Sequence, residues 1–379
     1  MKIVRTSSAA RRLVAATGVA ALALTMAACG GSSGDSTTSA SAGGSASSGG
    51  STASAASGEK VGVTLITKDS TNPFFVAMQN GAKADAEKNN VSLTVASGKQ
   101  EGDDAGQITA IEDAVARGDK GILITPMSDG VNAAIKSARD AGLYVIALDT
   151  PPDPADTVDI TFATDNREAG KLIGQWAAGT LKGEKATIAL LDLFNDKIVS
   201  VDYNRDQGFL EGMGIDVADG KKNGDEAPTG KYSGGDYEIV CNEPSNGAED
   251  GGRTAMEKCL AKNSNINVVY TINEPAAVGA NAALQAEGKK ALIVSVDGGC
   301  AGVGSVKSGV IGATSQQYPL KMATLGMEAI AKIANGGAKP AVSEGLDFFN
   351  TGVALVTDKP VDGVSSITAD EGAKICWGN

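Results

Sequence analysis

The chain contains no histidine. That absence excludes Ser–His–Asp and Cys–His catalytic sites and the common zinc sites built on histidine ligands. Aromatic residues make up only 4% of the 379 residues, so the adjacent pair Phe74 and Phe75 is a local concentration. Positive charge is also short, with 33 Lys+Arg against 45 Asp+Glu and a net charge of −12. Four of the basic residues stand in the first 28, which hold no acid. The remainder therefore carries 29 against 45, a net −16. Such a chain repels nucleic acid and anionic lipid headgroups, and a polyanionic ligand does not suit it.

Long apolar runs are absent but for one, Leu13 to Ala28. Lys2, Arg5, Arg11 and Arg12 precede it and Cys29 ends it. It is too short and wrongly flanked for a spanning helix and reads as a secretory signal. Met26-Ala27-Ala28-Cys29 resembles a lipobox, which makes Cys29 the expected site of acylation. Residues 30–58 are almost wholly Gly, Ser, Ala and Thr, the composition of a flexible tether. A doubly acylated cysteine followed by a tether implies a protein held at the outer face of the cytoplasmic membrane. The expected organisation is a signal peptide over 1–28, a tether over 29–59, and two α/β domains. The N-terminal one spans 60–164 plus about 318–345, and the C-terminal one 165–317 plus about 346–379.

From residue 59 on, strand and helix patterns alternate. Val61 to Ile66, Val91 to Ala96, GILIT at 121–125, LYVIAL at 143–148 and Asp159 to Ala163 read as strands, with helical spacing between them. The pattern then repeats with ATIALL at 186–191, Tyr237 to Cys241, INVVYT at 266–271, ALIVSV at 291–296 and Val310 to Thr314. Gly214 to Gly235 is polar and Gly-rich and is expected to be an insertion loop. Alternation of this kind predicts an α/β fold of parallel units with right-handed crossovers. Two successive halves of similar build form a cleft between the C-terminal ends of their strands, where open α/β sheets bind ligands.

Several strands end in polar residues: Asp149 after LYVIAL, Asn273 after VVYTI and Asp297 after LIVSV. Helix capping or turn formation would account for any one of them. Their shared position favours a binding cleft. Carboxylates and amides there can each engage two neighbouring hydroxyls, and Phe74 and Phe75 can cover an apolar C–H face. Together they describe a polyhydroxylated, uncharged ligand.

A set of ordered motifs sharpens this. Thr71-Asn72-Pro73-Phe74-Phe75, ITP at 124–126, IALD at 146–149, ATDN at 163–166, RDQGF at 205–209, TINEPAA at 271–277, SVDGG at 295–299 and ATSQQYP at 313–319 span the chain from residue 59. In these motifs the chain resembles bacterial solute-binding proteins of the ribose-binding type. The resemblance implies two Rossmann-like domains joined by a three-crossing hinge, no enzymatic activity and no cofactor or metal. Its implied partners are a monosaccharide and the permease subunits of an ABC importer with its cytoplasmic ATPase, with the protein itself a monomer. Carried over by motif, it implies sugar contacts from Asn72, Phe74, Phe75, Asp149, Arg205, Asn273, Asp297 and Gln317. Arg205 is then the main cationic donor, and Asp149 and Asp297 accept from hydroxyls, one from each domain. Thr150 stands where ribose binders place an arginine, Thr125 where they place an asparagine, and Lys68 in place of a small hydroxyl residue. No third aromatic can be placed. These departures argue against ribose. Cys241 and Cys259, TINEPAA, DGGC at 297–300 and the ICWG tail look most like the fructose-binding branch, which makes fructose the first expected ligand.

In an exported chain, Cys241, Cys259, Cys300 and Cys376 are expected to be oxidised. Three pairings are open; Cys241–Cys259 with Cys300–Cys376 is the favoured one. Asp202, Asn204 and Asp206 imitate the start of a calcium loop, but Gln207 and Met213 occupy its glycine and glutamate positions. Ser57 to Lys60 matches an S-x-x-K pattern by chance, and Gly302 to Gly309 carries no nucleotide fingerprint. The competing reading from another class is a surface-anchored carbohydrate enzyme using paired carboxylates. Ribose, xylose or inositol binding with a sensing role is the other alternative.

Overall fold

A computed structural model describes residues 59–378. The expected signal segment, the tether and Cys29 lie outside the described residues. The first half of the chain runs through β1 (Val61–Thr67), α1 (Pro73–Ala86), β2 (Val91–Ser97), α2 (Asp104–Arg117), β3 (Gly121–Ile124), α3 (Asn132–Asp140), β4 (Tyr144–Leu148) and β5 (Ile160–Ala163). The second half follows with α4 (Asn166–Leu181), β6 (Ala186–Asp192), α5 (Ser200–Met213), β7 (Thr229–Tyr232), β8 (Gly235–Pro244), α6 (Glu249–Lys262), β9 (Val268–Thr271), α7 (Glu274–Ala286), β10 (Leu292–Asp297), α8 (Cys300–Ser308) and β11 (Ala313–Gln316). The chain then returns through α9 (Pro319–Ala334) and β12 (Phe349–Asn350), and closes with β13 (Ala354–Val356) and α10 (Ala369–Gly372).

Two sheets result, ordered β12-β5-β4-β3-β1-β2 and β13-β11-β10-β9-β6-β8-β7. All pairs of the first are parallel. The second is parallel except for its two edge strands, β13 and β7. Apart from the edges, both sheets follow the doubly wound order 2-1-3-4-5, with a switch point beside β1 in one and β6 in the other.

Successive strand side chains point to opposite faces, so each sheet is buried on both. In the first lobe, Val63 and Leu65 pack with Phe74, Met78, Met322 and Ile330 of α1 and α9. On the other face, Ile66, Ile122 and Ile124 meet Ile111 and Ile135 of α2 and α3. In the second lobe, Ile188, Leu190 and Tyr270 pack with Trp176 and Phe209 of α4 and α5. Leu191, Val269 and Ile293 pack with Met256 and Ala277 on the reverse side. Contiguous apolar strands covered on both faces are what a parallel sheet requires.

Helices α4 and α5 touch backbone to backbone. A Cβ on Gly170 would fall 2.1 Å from the Arg205 carbonyl, and one on Gly208 would fall 2.2 Å from the Arg167 carbonyl. This glycine contact sets the height of Arg205 above the sheet.

Two expectations are corrected. The 214–235 segment is not wholly loop, because Thr229–Tyr232 forms β7 and pairs antiparallel with β8. Residues 346–350 lie with the first sheet, because Phe349–Asn350 pairs with β5. The last crossing therefore falls between Asn350 and Ala354, a few residues beyond the expected boundary. The other two run from β5 to α4 and from β11 to α9.

Candidate functional site

The loop after β1 is ordered by Asp69. Its Oδ1 accepts from the backbone N–H of Thr71 at 2.6 Å and of Asn72 at 2.7 Å. Asn72 then caps α1, its Oδ1 accepting from Phe74 N–H at 3.0 Å, with Pro73 at the first helical position where no N–H is needed. This start delivers Phe74 and Phe75 to the end of the sheet, edge to face with ring centroids 5.4 Å apart. Both rings belong to the core and both line the cavity.

Asp149 follows β4 with φ 65°, a left-handed conformation that turns its side chain toward the second lobe. Thr150 Oγ1 donates to its Oδ2 at 2.8 Å. Its Oδ1 lies 3.8 Å from Arg205 Nη2 across the cleft and has no hydrogen-bond partner. Arg205 is itself fixed, Nε donating to Asn166 Oδ1 at 2.7 Å and Nη1 to the Ile272 carbonyl at 3.0 Å. The guanidinium is a preset donor plane rather than a mobile arm.

Asp297 ends β10 in an unusual φ of 146°. Its Oδ1 accepts from Gln317 Nε2 at 2.8 Å and its Oδ2 from Glu274 N–H at 3.4 Å. Burial raises its pKa to about 6, opposed by Arg205 and by the Gln317 hydrogen bond. Behind it, the Glu274 carboxylate accepts from Gly298 N–H at 2.8 Å, Gly299 N–H at 3.1 Å and Thr314 Oγ1 at 2.8 Å. Burial, then repulsion from Asp297, pushes that group up to about 8. Asn273 serves both readings of its position. It caps α7, accepting from Ala276 N–H at 3.1 Å, and it lines the cavity.

All eight predicted residues therefore surround one cavity of about 40 Å³. Sequence reasoning did not assign the remaining wall. Lys68 and Glu101 form a buried ion pair there at 3.1 Å, and burial pushes the Glu101 carboxyl up against the opposing pull of Lys68. In the sequence, Lys68 stands out only as a departure from the family pattern. Glu101 closes the β2 loop, one strand from the switch point, and the strand-end rule applied there would have found it. The second-lobe side of the lining also carries the aliphatic Leu193, Val201 and Ile272, and no third aromatic lines the cavity. Asp202 explains the false calcium motif. Its carboxylate accepts from Leu193 N–H at 2.8 Å and Phe194 N–H at 3.1 Å, pinning the turn after β6.

The lobes are closed over this cavity. Lys197 Nζ donates to the Gly102 carbonyl at 2.6 Å, Lys221 pairs with Asp153 and Ser200 Oγ donates to the Pro151 carbonyl. A larger hollow of about 910 Å³, lined by Lys120, Arg139, Tyr144 and Lys339 among others, lies at the opposite ends of β3 and β4 and contains none of the predicted residues. Among the described residues, no group of three His, Cys, Asp or Glu is arranged to hold a metal ion, and no helix is long and apolar enough to cross a membrane. Disulfides join Cys241 to Cys259 and Cys300 to Cys376.

The profile of the periplasmic binding protein domain matches residues 62–338. The ribose import binding protein of Salmonella typhimurium is 30% identical over 276 residues, covering 72% of this chain and 85% of its own. A solved galactofuranose-binding protein superposes with a TM-score of 0.67 at 24% identity, over 83% of this chain and 97% of that one. An ABC-transporter solute-binding protein from Agrobacterium vitis, bound with α-D-tagatopyranose, gives 0.68 at 19% identity, over 84% and 100%. The last two show likeness of fold.

Proposed function

Starting from the fact that the chain belongs to the periplasmic binding protein family, we propose that it is an exported carrier. It captures one monosaccharide between its lobes and presents it to an ABC importer, and it catalyses no reaction. The observation that carries this reading is the convergence of eight residues, drawn from positions 72 to 317, on one cavity between the lobes. Three carboxylates, Asp149, Asp297 and Glu101, face two cations, Lys68 and Arg205. Acceptors and donors are nearly balanced, which suits the hydroxyls of an uncharged sugar and disfavours an acid or a phosphate. Phe74 and Phe75 supply apolar faces for ring C–H groups.

Hydrogen bonds to charged groups contribute about 1.5–3 kcal/mol each. Several of them plus ring contact, less the cost of association and closure, reach about −8 kcal/mol, a micromolar affinity. Fructose is the first candidate, resting on the TINEPAA, DGGC and ICWG motifs. Acylation at Cys29, the 30–58 tether and a monomeric state complete the proposal. Binding shifts an open–closed population toward the form a transporter docks.

Isothermal titration of the purified chain against fructose, ribose, xylose, glucose, galactose and myo-inositol tests it. One tight 1:1 response is expected, with fructose strongest. Silence across the panel, or turnover of a glycoside, would overturn it.

A further inference from the structure

The C-terminal tail touches both lobes and the second crossing at once. It leaves α10, and Cys376 is bonded to Cys300, the first residue of α8 and the third after Asp297. Trp377 follows directly. Its carbonyl accepts from Cys300 N–H at 2.9 Å. Its indole Nε1–H donates to the carbonyl of Gln317 at 2.8 Å, and Gln317 is the residue whose amide holds Asp297. The ring lies edge to face on Phe74, centroids 5.3 Å apart, and it is counted in the hydrophobic core of the first lobe. It is 6% exposed, yet it is not among the residues lining the sugar cavity.

One side chain thus backs an aromatic wall residue from the first lobe and the residue that orients a carboxylate from the second. Phe74 travels with α1 and Cys300 with α8. The indole bridges them with the lobes at the closed spacing. A chain end of this kind would fray without an anchor, and here Cys376 supplies one. The companion disulfide, Cys241–Cys259, joins β8 to α6 and neither cysteine lines the cavity. It is a matched control.

We propose that Trp377, anchored by the Cys300–Cys376 bridge, is a positioning residue for sugar binding and the latch that favours the closed form. This rests on the cavity being the sugar site. Trp377→Ala and the Cys300→Ser/Cys376→Ser pair each weaken sugar affinity by about tenfold, the scale of an aromatic contact plus one hydrogen bond. Trp377→Phe, which keeps a ring and loses the donor, falls between them and the unaltered protein. Cys241→Ser/Cys259→Ser lowers the melting temperature and leaves affinity unchanged.

Fluorescence gives a readout that a merely structural role would not move. The protein has two tryptophans, and Trp176 is sealed in the second-lobe core. The emission change on sugar addition is therefore lost in Trp377→Phe and kept in Trp176→Phe. Equal affinities for Trp377→Ala, Trp377→Phe and the unaltered protein would overturn the proposal. Small-angle scattering of the sugar-free protein needs no ligand. The Trp377→Ala and Cys300→Ser/Cys376→Ser proteins are expected to be more open than the unaltered one, and identical profiles would also overturn the latch. If the unaltered protein binds no sugar in the panel, the functional reading falls and the scattering comparison alone decides the latch.

Discussion

The two lobes share a strand order and place an aspartate at the same point of it, yet they treat that aspartate differently. Asp149 in the first lobe is steadied by one neighbouring hydroxyl and looks across the cleft at Arg205. Asp297 in the second is held by Gln317 and the Glu274 backbone, with a second buried carboxylate behind it. The second lobe also owns both disulfides and a further buried acidic pair, Asp192 and Asp206, whose pKa values are raised by burial first and then by neighbouring carboxylates. The lesson is a division of labour. The first lobe supplies shape, through Phe74 and Phe75, together with the charges of Lys68, Glu101 and Asp149. The second supplies the firmly held charges of Arg205 and Asp297, and accepts a cost in stability for burying them.

Removing the shared charge breaks the comparison most completely. Arg205→Ala strips the second lobe of its fixed donor and leaves Asp149 and Asp297 uncompensated. Loss of about 3–5 kcal/mol of binding is expected, with an unchanged circular dichroism spectrum. Retained affinity would refute the site. Next in size is the Cys241–Cys259 bridge. Opening this link between residues 18 apart is expected to cost about 3 kcal/mol in the entropy model, measured by denaturant titration.

The pH response separates the lobes more finely. Asp297 and Asp202 titrate near 6 and Glu274 near 8 in the folded protein, all above their ordinary values. The folded form thus holds more protons than the unfolded one across this window, so stability falls as pH rises from about 4 to about 8. The sugar-free protein should melt several degrees lower at pH 8 than at pH 5, since about 1 kcal/mol moves a protein of this size by roughly 2–4 °C. Asp192→Asn, which removes a buried titrating carboxyl, should flatten that slope. Sugar affinity should run the other way and weaken below pH 6, as Asp297 becomes protonated and ceases to be a full acceptor. A flat melting profile would show that these carboxyls are not buried as described. The smallest effect belongs to the first lobe. Thr150→Val removes only the hydroxyl on Asp149 and should weaken binding by about 1 kcal/mol; a loss as large as that for Arg205→Ala would mean that Asp149 is as rigidly held as Asp297.

The alternation of strands and helices was legible because the central strands are short, apolar and buried on both faces. The strand-end residues Asp149, Asn273 and Asp297 were legible because parallel sheets bind at those ends. What escaped has physical reasons. Strand β7 reads Thr-Gly-Lys-Tyr on an exposed edge, so neither hydrophobicity nor alternation marks it. Strand β12 is two residues long and exists through its pairing with β5. Lys68 and Glu101 are charged and look solvent-bound in sequence; only the folded loops after β1 and β2 bury them together. Trp377 meets Phe74 across some three hundred residues of chain, a contact that no local pattern encodes.

The Arg205–Asp149 pair carries one more implication. Its members sit in different lobes, 3.8 Å apart and buried. Opposite charges at that spacing attract across an empty cleft as well as a filled one. The pair is therefore expected to favour closure of the unloaded protein alongside Trp377, at a level independent of sugar concentration. A transporter that docks on closure alone would spend cycles on empty carriers. Discrimination between full and empty must then come from lifetime, with a loaded carrier staying shut long enough to complete delivery and an empty one reopening first.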